Sequence, residues 1–130
     1  MDDLHRHIIE SAPEAILFAD REGVIQLWNA GAELMFGYAA DEAIGHSLDL
    51  IIPERLRERH WDGYHRVMTT GETAYGARLL AVPAQCKDGR RISLEFSIAL
   101  IREGDAEIRG IATVMRDVTE RWERERRAQR

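Results

Sequence analysis

Five histidines and a single cysteine are the side chains of this 130-residue chain best suited to metal or proton chemistry, and their positions set them apart. Pro53 is a good first-turn residue and Gly71 a good stop, so the stretch between them reads as one long helix. At about 100° per residue, Arg55, Arg59, Asp62 and Arg66 fall on one side of it, and Leu56, His60, Tyr64 and Val67 on the other. His60 therefore sits in the middle of an apolar stripe. A neutral imidazole there can ligate a metal, or it can bond to a main-chain carbonyl as a core histidine does. His65 lies at the flank of the stripe beside Trp61 and Met68 and reads as exposed or dimer-facing, with ligation in place of His60 the alternative, while His5, His7 and His46 read as solvated. Cys86, just before Lys87-Asp88-Gly89, reads as a packing or solvent-facing thiol.

Catalytic signatures are missing from the sequence. It holds no Gly-rich phosphate loop, nucleophile elbow, paired-histidine metal motif or histidine-kinase box. A formal charge of −5 without a Lys/Arg patch interleaved with aromatics argues against nucleic acid as a partner. No apolar run approaches the length of a membrane span, and the first residues, MDDLHRH, lack the apolar stretch of a signal peptide. Cytoplasmic localisation is the resulting expectation, and a lone cysteine fits a reducing compartment.

The elements that must position His60 follow from local signals. Leu4, Ile8 and Ile9 at helical spacing predict a lead helix over residues 1–12, blocked by Pro13. Ala15 to Ala19 and Val24 to Trp28 flank Asp20-Arg21-Glu22-Gly23, a hairpin signal. Asn29 is the expected N-cap of a short helix that Gly37 ends, and Asp41 and Ser47 are expected to cap further short turns. After Gly71, three β-rich runs (Tyr75 to Gln85, Ile92 to Ile101, Ile108 to Met115) separated by Gly-containing turns predict an antiparallel meander. Asp117 and Thr119 are expected to cap an exit helix that is charged throughout except for Trp122. The expected fold class is α+β: a five-stranded antiparallel sheet with short helices and one longer helix on one face, flanked by N- and C-terminal helices. Residues 13–118 form the core and 119–130 begin the exit helix.

In order and spacing, Trp28-Asn29-Ala30, Phe36-Gly37-Tyr38, Glu42-Ala43-Ile44-Gly45, Lys87-Asp88-Gly89 and Asp117-Val118-Thr119-Glu120-Arg121 resemble the PAS domain across almost the whole chain. The resemblance implies a pocket between the sheet and the longest helix, and a sensory or dimerising role that passes a change to an output domain of a larger bacterial signalling protein. A narrower similarity covers Pro53, His60, Gly71 and Asp88, which match without a gap the spacing of the haem-binding oxygen sensors of that family. Carried over by position, His60 is the proximal ligand of haem b and Arg66 the partner of a propionate. The arginine that holds oxygen in those sensors corresponds here to Leu80. Arg78, two positions earlier on the same strand, is then the candidate distal group.

Neutral imidazole is a good ligand for iron, and apolar residues such as Leu79, Leu94, Phe96, Ile98 and Ile111 would suit a porphyrin. The alternative is a PAS domain without a metal cofactor, for a small organic ligand or for dimerisation. The flavin-thiol photosensor motif is absent. A homodimer through the lead and exit helices is expected, because Leu4, Ile8, Ile9 and Trp122 have few partners on their own elements.

Overall fold

In the computed structural model, residues 2–72, 78–104 and 107–129 are described, with the side chains of Asp2 and of residues 78–81 outside that description. The lead helix α1 runs Asp2–Ser11, and β1 (Ala15–Asp20) and β2 (Ile25–Trp28) form the predicted hairpin. Helices α2 (Ala30–Phe36) and α3 (Ala40–Ala43) follow, then a 3-10 turn at Leu48–Ile51, a second at Glu54–Leu56, and α4 at Arg57–Thr70. Strands β3 (Arg78–Gln85), β4 (Arg91–Arg102) and β5 (Ile108–Asp117) lead into the exit helix α5 at Thr119–Ala128. The first residues of the predicted run from Tyr75 lie outside the described residues.

All five strands make one sheet in the order β2-β1-β5-β4-β3, antiparallel throughout. Its register sorts the side chains. Leu17 pairs with Thr113, Ala19 with Ile111, Phe96 with Met115 and Ile98 with Thr113, so these residues share one face. With Ile25, Trp28, Ala84, Ile92 and Leu94 they join Ala32, Phe36, Ala43, Leu48, Ile51, Tyr64 and Met68 from the helical segments in one core. Burial of this apolar surface drives the packing of helices on sheet.

Local signals act where expected at four helix ends. Asn29 accepts the Ala32 N–H at the start of α2, and Gly37 ends it with φ of 85°. Gly71 ends α4 in the same left-handed conformation, which costs a residue without a Cβ little. Ser47 accepts from Asp49 N–H and caps the first 3-10 turn.

Three expectations need correction. The stretch from Pro53 to Gly71 is not one helix: Arg57 turns its guanidinium back to donate to Ile52 O (3.0 Å) and Asp49 O (3.2 Å), and the chain enters α4 through a separate 3-10 turn. Asp41 caps nothing; the Glu42 carboxylate accepts the Ala39 N–H at the start of α3. At the exit helix the capping position belongs to Val118, whose side chain has no oxygen to offer. Asp117 Oδ1 still accepts the Thr119 N–H (3.0 Å), while the Thr119 hydroxyl accepts from Ser93 N–H on β4 (2.8 Å), pinning the helix start to the sheet.

Candidate functional site around His60

His60 lies in the first half of α4, and its imidazole packs edge-on against Trp61 (ring centroids 4.6 Å apart) and tilted against Tyr64 (5.6 Å). Both neighbours are held by other elements. Trp61 donates to the Asp49 carboxylate (2.8 Å), and its ring lies over Gly23 so closely that a Cβ there would meet it at 2.1 Å. Tyr64 donates to Asp20 O (2.5 Å), with Ala19 O at 3.3 Å, joining mid-α4 to the end of β1. Withdrawal from water pushes the Tyr64 phenol's pKa up.

Nδ1 of His60 is buried, and among the described residues it has no hydrogen-bond partner. Whether it carries a proton or a lone pair, a buried polar atom left unsatisfied costs about 1–3 kcal/mol. Desolvation also lowers the His60 pKa from 6.5 to about 4, against a smaller opposing pull from Asp49, so the ring is neutral at pH 7. A neutral imidazole with an unsatisfied nitrogen in apolar surroundings is the donor an iron or other borderline metal takes. Among the described residues no group of three His, Cys, Asp or Glu side chains is placed to hold a metal by itself. A metal that arrives with other ligands of its own, as in a porphyrin, would need only one side chain from the protein, and His60 would be able to supply it.

The other predicted residues are placed as follows. Phe96 and Ile98 lie on the helix-covered face of β4, partly buried against the core. Arg66 is exposed on α4. Arg78 stands across from Ser97 and Leu79 across from Phe96, with a register irregularity between Leu79 and Val82. The side chains of Arg78, Leu79 and Leu80 lie outside the described residues. His65, His5, His7 and His46 are exposed. Cys86 is buried and donates its thiol to Met35 O (3.3 Å), and burial pushes its pKa up, so it is a packing residue. Trp122 is partly covered by its own helix, with Arg126 stacked 4.7 Å from the ring centroid.

Sequence reading missed how Trp61, Tyr64 and Asp49 hold the imidazole. The spacing of Trp61 and Tyr64 along α4 was visible; the bonds to Asp49 and to the β1 carbonyls depend on tertiary structure.

Residues 9–123 match the PAS fold family. The chain belongs to the PAS family. Among curated proteins, it is 30% identical over 124 residues to the sensor protein FixL of Bradyrhizobium diazoefficiens, covering 95% of this chain and 24% of that one. To the oxygen sensor protein DosP of Escherichia coli it is 26% identical over 87 residues, covering 67% of this chain and 11% of that one. This PAS chain thus spans a quarter or less of those relatives. The crystal structure of a PAS domain from Colwellia psychrerythraea superposes with a TM-score of 0.76 at 20% identity, covering 91% of this chain and 97% of that one. PAS domains are in general sensory modules, and the recurrence of this sheet order and helical layer is a matter of fold. Among the described residues no helix is long and apolar enough to cross a membrane.

Proposed function

We propose that this PAS domain binds haem b through His60 and reports a diatomic gas or redox state to the output domain of a larger signalling protein in the cytoplasm. The observation that carries the reading is the Nδ1 of a neutral His60 on α4, buried and without a partner among the described residues. Similarity to two sensor proteins, one of them an oxygen sensor by name, supports it.

In this reading haem supplies an iron centre that exchanges gas ligands and electrons. His60 is its protein ligand, and Trp61 and Tyr64 fix the plane of the imidazole. Leu94, Ile111, Phe96 and Ile98 offer apolar surface that keeps water away. Core side chains now pack between α4 and the sheet, so loading requires α4 to shift outward. Arg66, exposed one and a half turns further on, would meet a propionate at the surface. Leu80 has no hydrogen-bond donor for a bound ligand, which leaves Arg78 as the distal candidate.

Residues 13–118 act as the sensing core and residues 119–130 as the start of the signalling helix. Two copies pair through α1, whose Leu4 and Ile8 are 61% and 59% exposed. Light scattering tests the pairing: the full chain is a dimer at tens of micromolar, and a chain starting at residue 13 is a monomer. Equal dimerisation of both removes α1 from the interface.

Absorption spectroscopy tests the haem assignment. Reconstituted protein gives a Soret band that moves on reduction and on CO addition, His60→Ala loses the histidine-ligated spectrum, and Arg78→Ala speeds autoxidation. An unchanged spectrum in His60→Ala refutes the ligand assignment. Unchanged autoxidation in Arg78→Ala refutes the distal role.

A PAS domain for a small organic ligand or for dimerisation alone is the second reading, favoured by the well-packed core under α4. Failure of the wild type to take up haem would select it.

A further inference from the structure

We infer that the hollow at the C-terminal end of α4, between Arg21 and Arg102, binds a small aliphatic carboxylate. Three parts of the chain meet there: Arg21 from the β1–β2 turn, Met68 to Gly71 from the end of α4, and Arg102, Glu107 and Ile108 from the ends of β4 and β5. The hollow measures about 330 Å³, room for a ligand of a few carbon atoms.

Ile108 organises it. Arg102 is its cross-strand partner, and Arg21 Nη1 donates to its carbonyl at 2.7 Å. Arg102 lies over Gly71, where a Cβ would meet its Nη2 at 2.8 Å. Glycine at the end of α4 therefore does two things: it takes the left-handed turn with φ of 75°, and it leaves room for the guanidinium.

Charge selects the ligand. Neither Arg21 nor Arg102 has a carboxylate within ion-pair distance among the described residues, although Glu107 lines the same hollow. Among the described residues, Arg21 spends one donor on Ile108 O and keeps the rest of its fork, and Arg102 keeps its whole fork. The Thr69 and Thr70 hydroxyls donate back to His65 O and Arg66 O, so the guanidinium groups are the available donors. Among the described lining residues, two cations and one carboxylate leave a formal surplus of one positive charge. The negative end of the α4 dipole points at the same place and disfavours a dianion. A planar monoanion accepting bidentate bonds fits this balance better than phosphate. Met68 and Ile108, buried beneath the hollow, close it from below.

The hollow stands apart from His60, and the test keeps the two independent. Nitrogen-15-labelled chain is titrated with sodium butyrate and with inorganic phosphate at constant ionic strength, following the arginine Nε–H signals and the Gly71 amide. Butyrate is expected to give saturable shifts at millimolar concentration, with phosphate at least tenfold weaker. Arg21→Gln and the exposed Arg102→Gln are each expected to weaken butyrate binding at least tenfold, the latter with an unchanged melting temperature, while His60→Leu leaves binding as it was. Absence of saturation, phosphate binding as tight as butyrate, or full affinity in Arg102→Gln would overturn the assignment.

Discussion

Asn29 and His60 are both polar side chains drawn out of water, and they are treated in opposite ways. Asn29, 2% exposed, has every hydrogen-bonding group engaged: Oδ1 accepts from Ile16 N–H (2.8 Å) and Ala32 N–H (2.9 Å), and Nδ2 donates to Ile9 O (2.8 Å) and Glu14 O (3.0 Å). It ties the end of α1, the start of β1 and the start of α2 into one node. His60 has aromatic neighbours on its ring and nothing on Nδ1 among the described residues. A satisfied buried polar group contributes to the fold; an unsatisfied one costs stability and is kept where function uses it.

The contrast breaks first at Asn29. Asn29→Ala strands two N–H donors, one buried and one partly buried, and two carbonyl acceptors at once, so it is expected to cost about 3 kcal/mol or more in urea unfolding. A loss below about 1 kcal/mol would mean that water replaces the node. His60 predicts a smaller effect with a distinct pH signature. Its folded pKa of about 4 lies below the ordinary 6.5, so below pH 6.5 the unfolded chain takes up a proton that the native ring refuses. Stability is therefore fully present above pH 6.5 and falls as pH drops toward 4, by up to about 3 kcal/mol. His60→Leu should flatten that part of the urea-unfolding profile. An identical slope in both proteins would place the titration elsewhere.

Much of the frame was legible in the sequence because its signals are local. Asn29, Gly37, Ser47 and Gly71 act within a turn of their own position, and β-rich runs bounded by turn residues pair with their sequence neighbours in the hairpin and the meander. The pairing of β1 with β5 brings residues about a hundred positions apart together, and no local signal encodes it. Long-range side-chain bonds were illegible for the same reason. Glu95, between Leu94 and Phe96 on β4, is buried where Arg121 of α5 donates to it at 2.9 Å, a partner that strand alternation does not encode. Arg57 reads as one more charged helical residue, yet it bonds backward and splits the predicted helix. At the site, His60 was visible from its place on the apolar stripe. Its lack of a partner among the described residues depends on what Trp61, Tyr64 and Asp49 do around it, and helical periodicity does not encode that.

Thermal unfolding followed by circular dichroism, on wild type and His60→Leu with and without excess hemin, tests the central claim most directly. Leucine removes the unsatisfied nitrogen, so the haem-free variant should melt at or above the wild-type temperature. Hemin should then raise the melting temperature of the wild type alone, since only a ligand bound to the native state stabilises it. If hemin stabilises both proteins equally, or neither, His60 is not kept as a haem ligand.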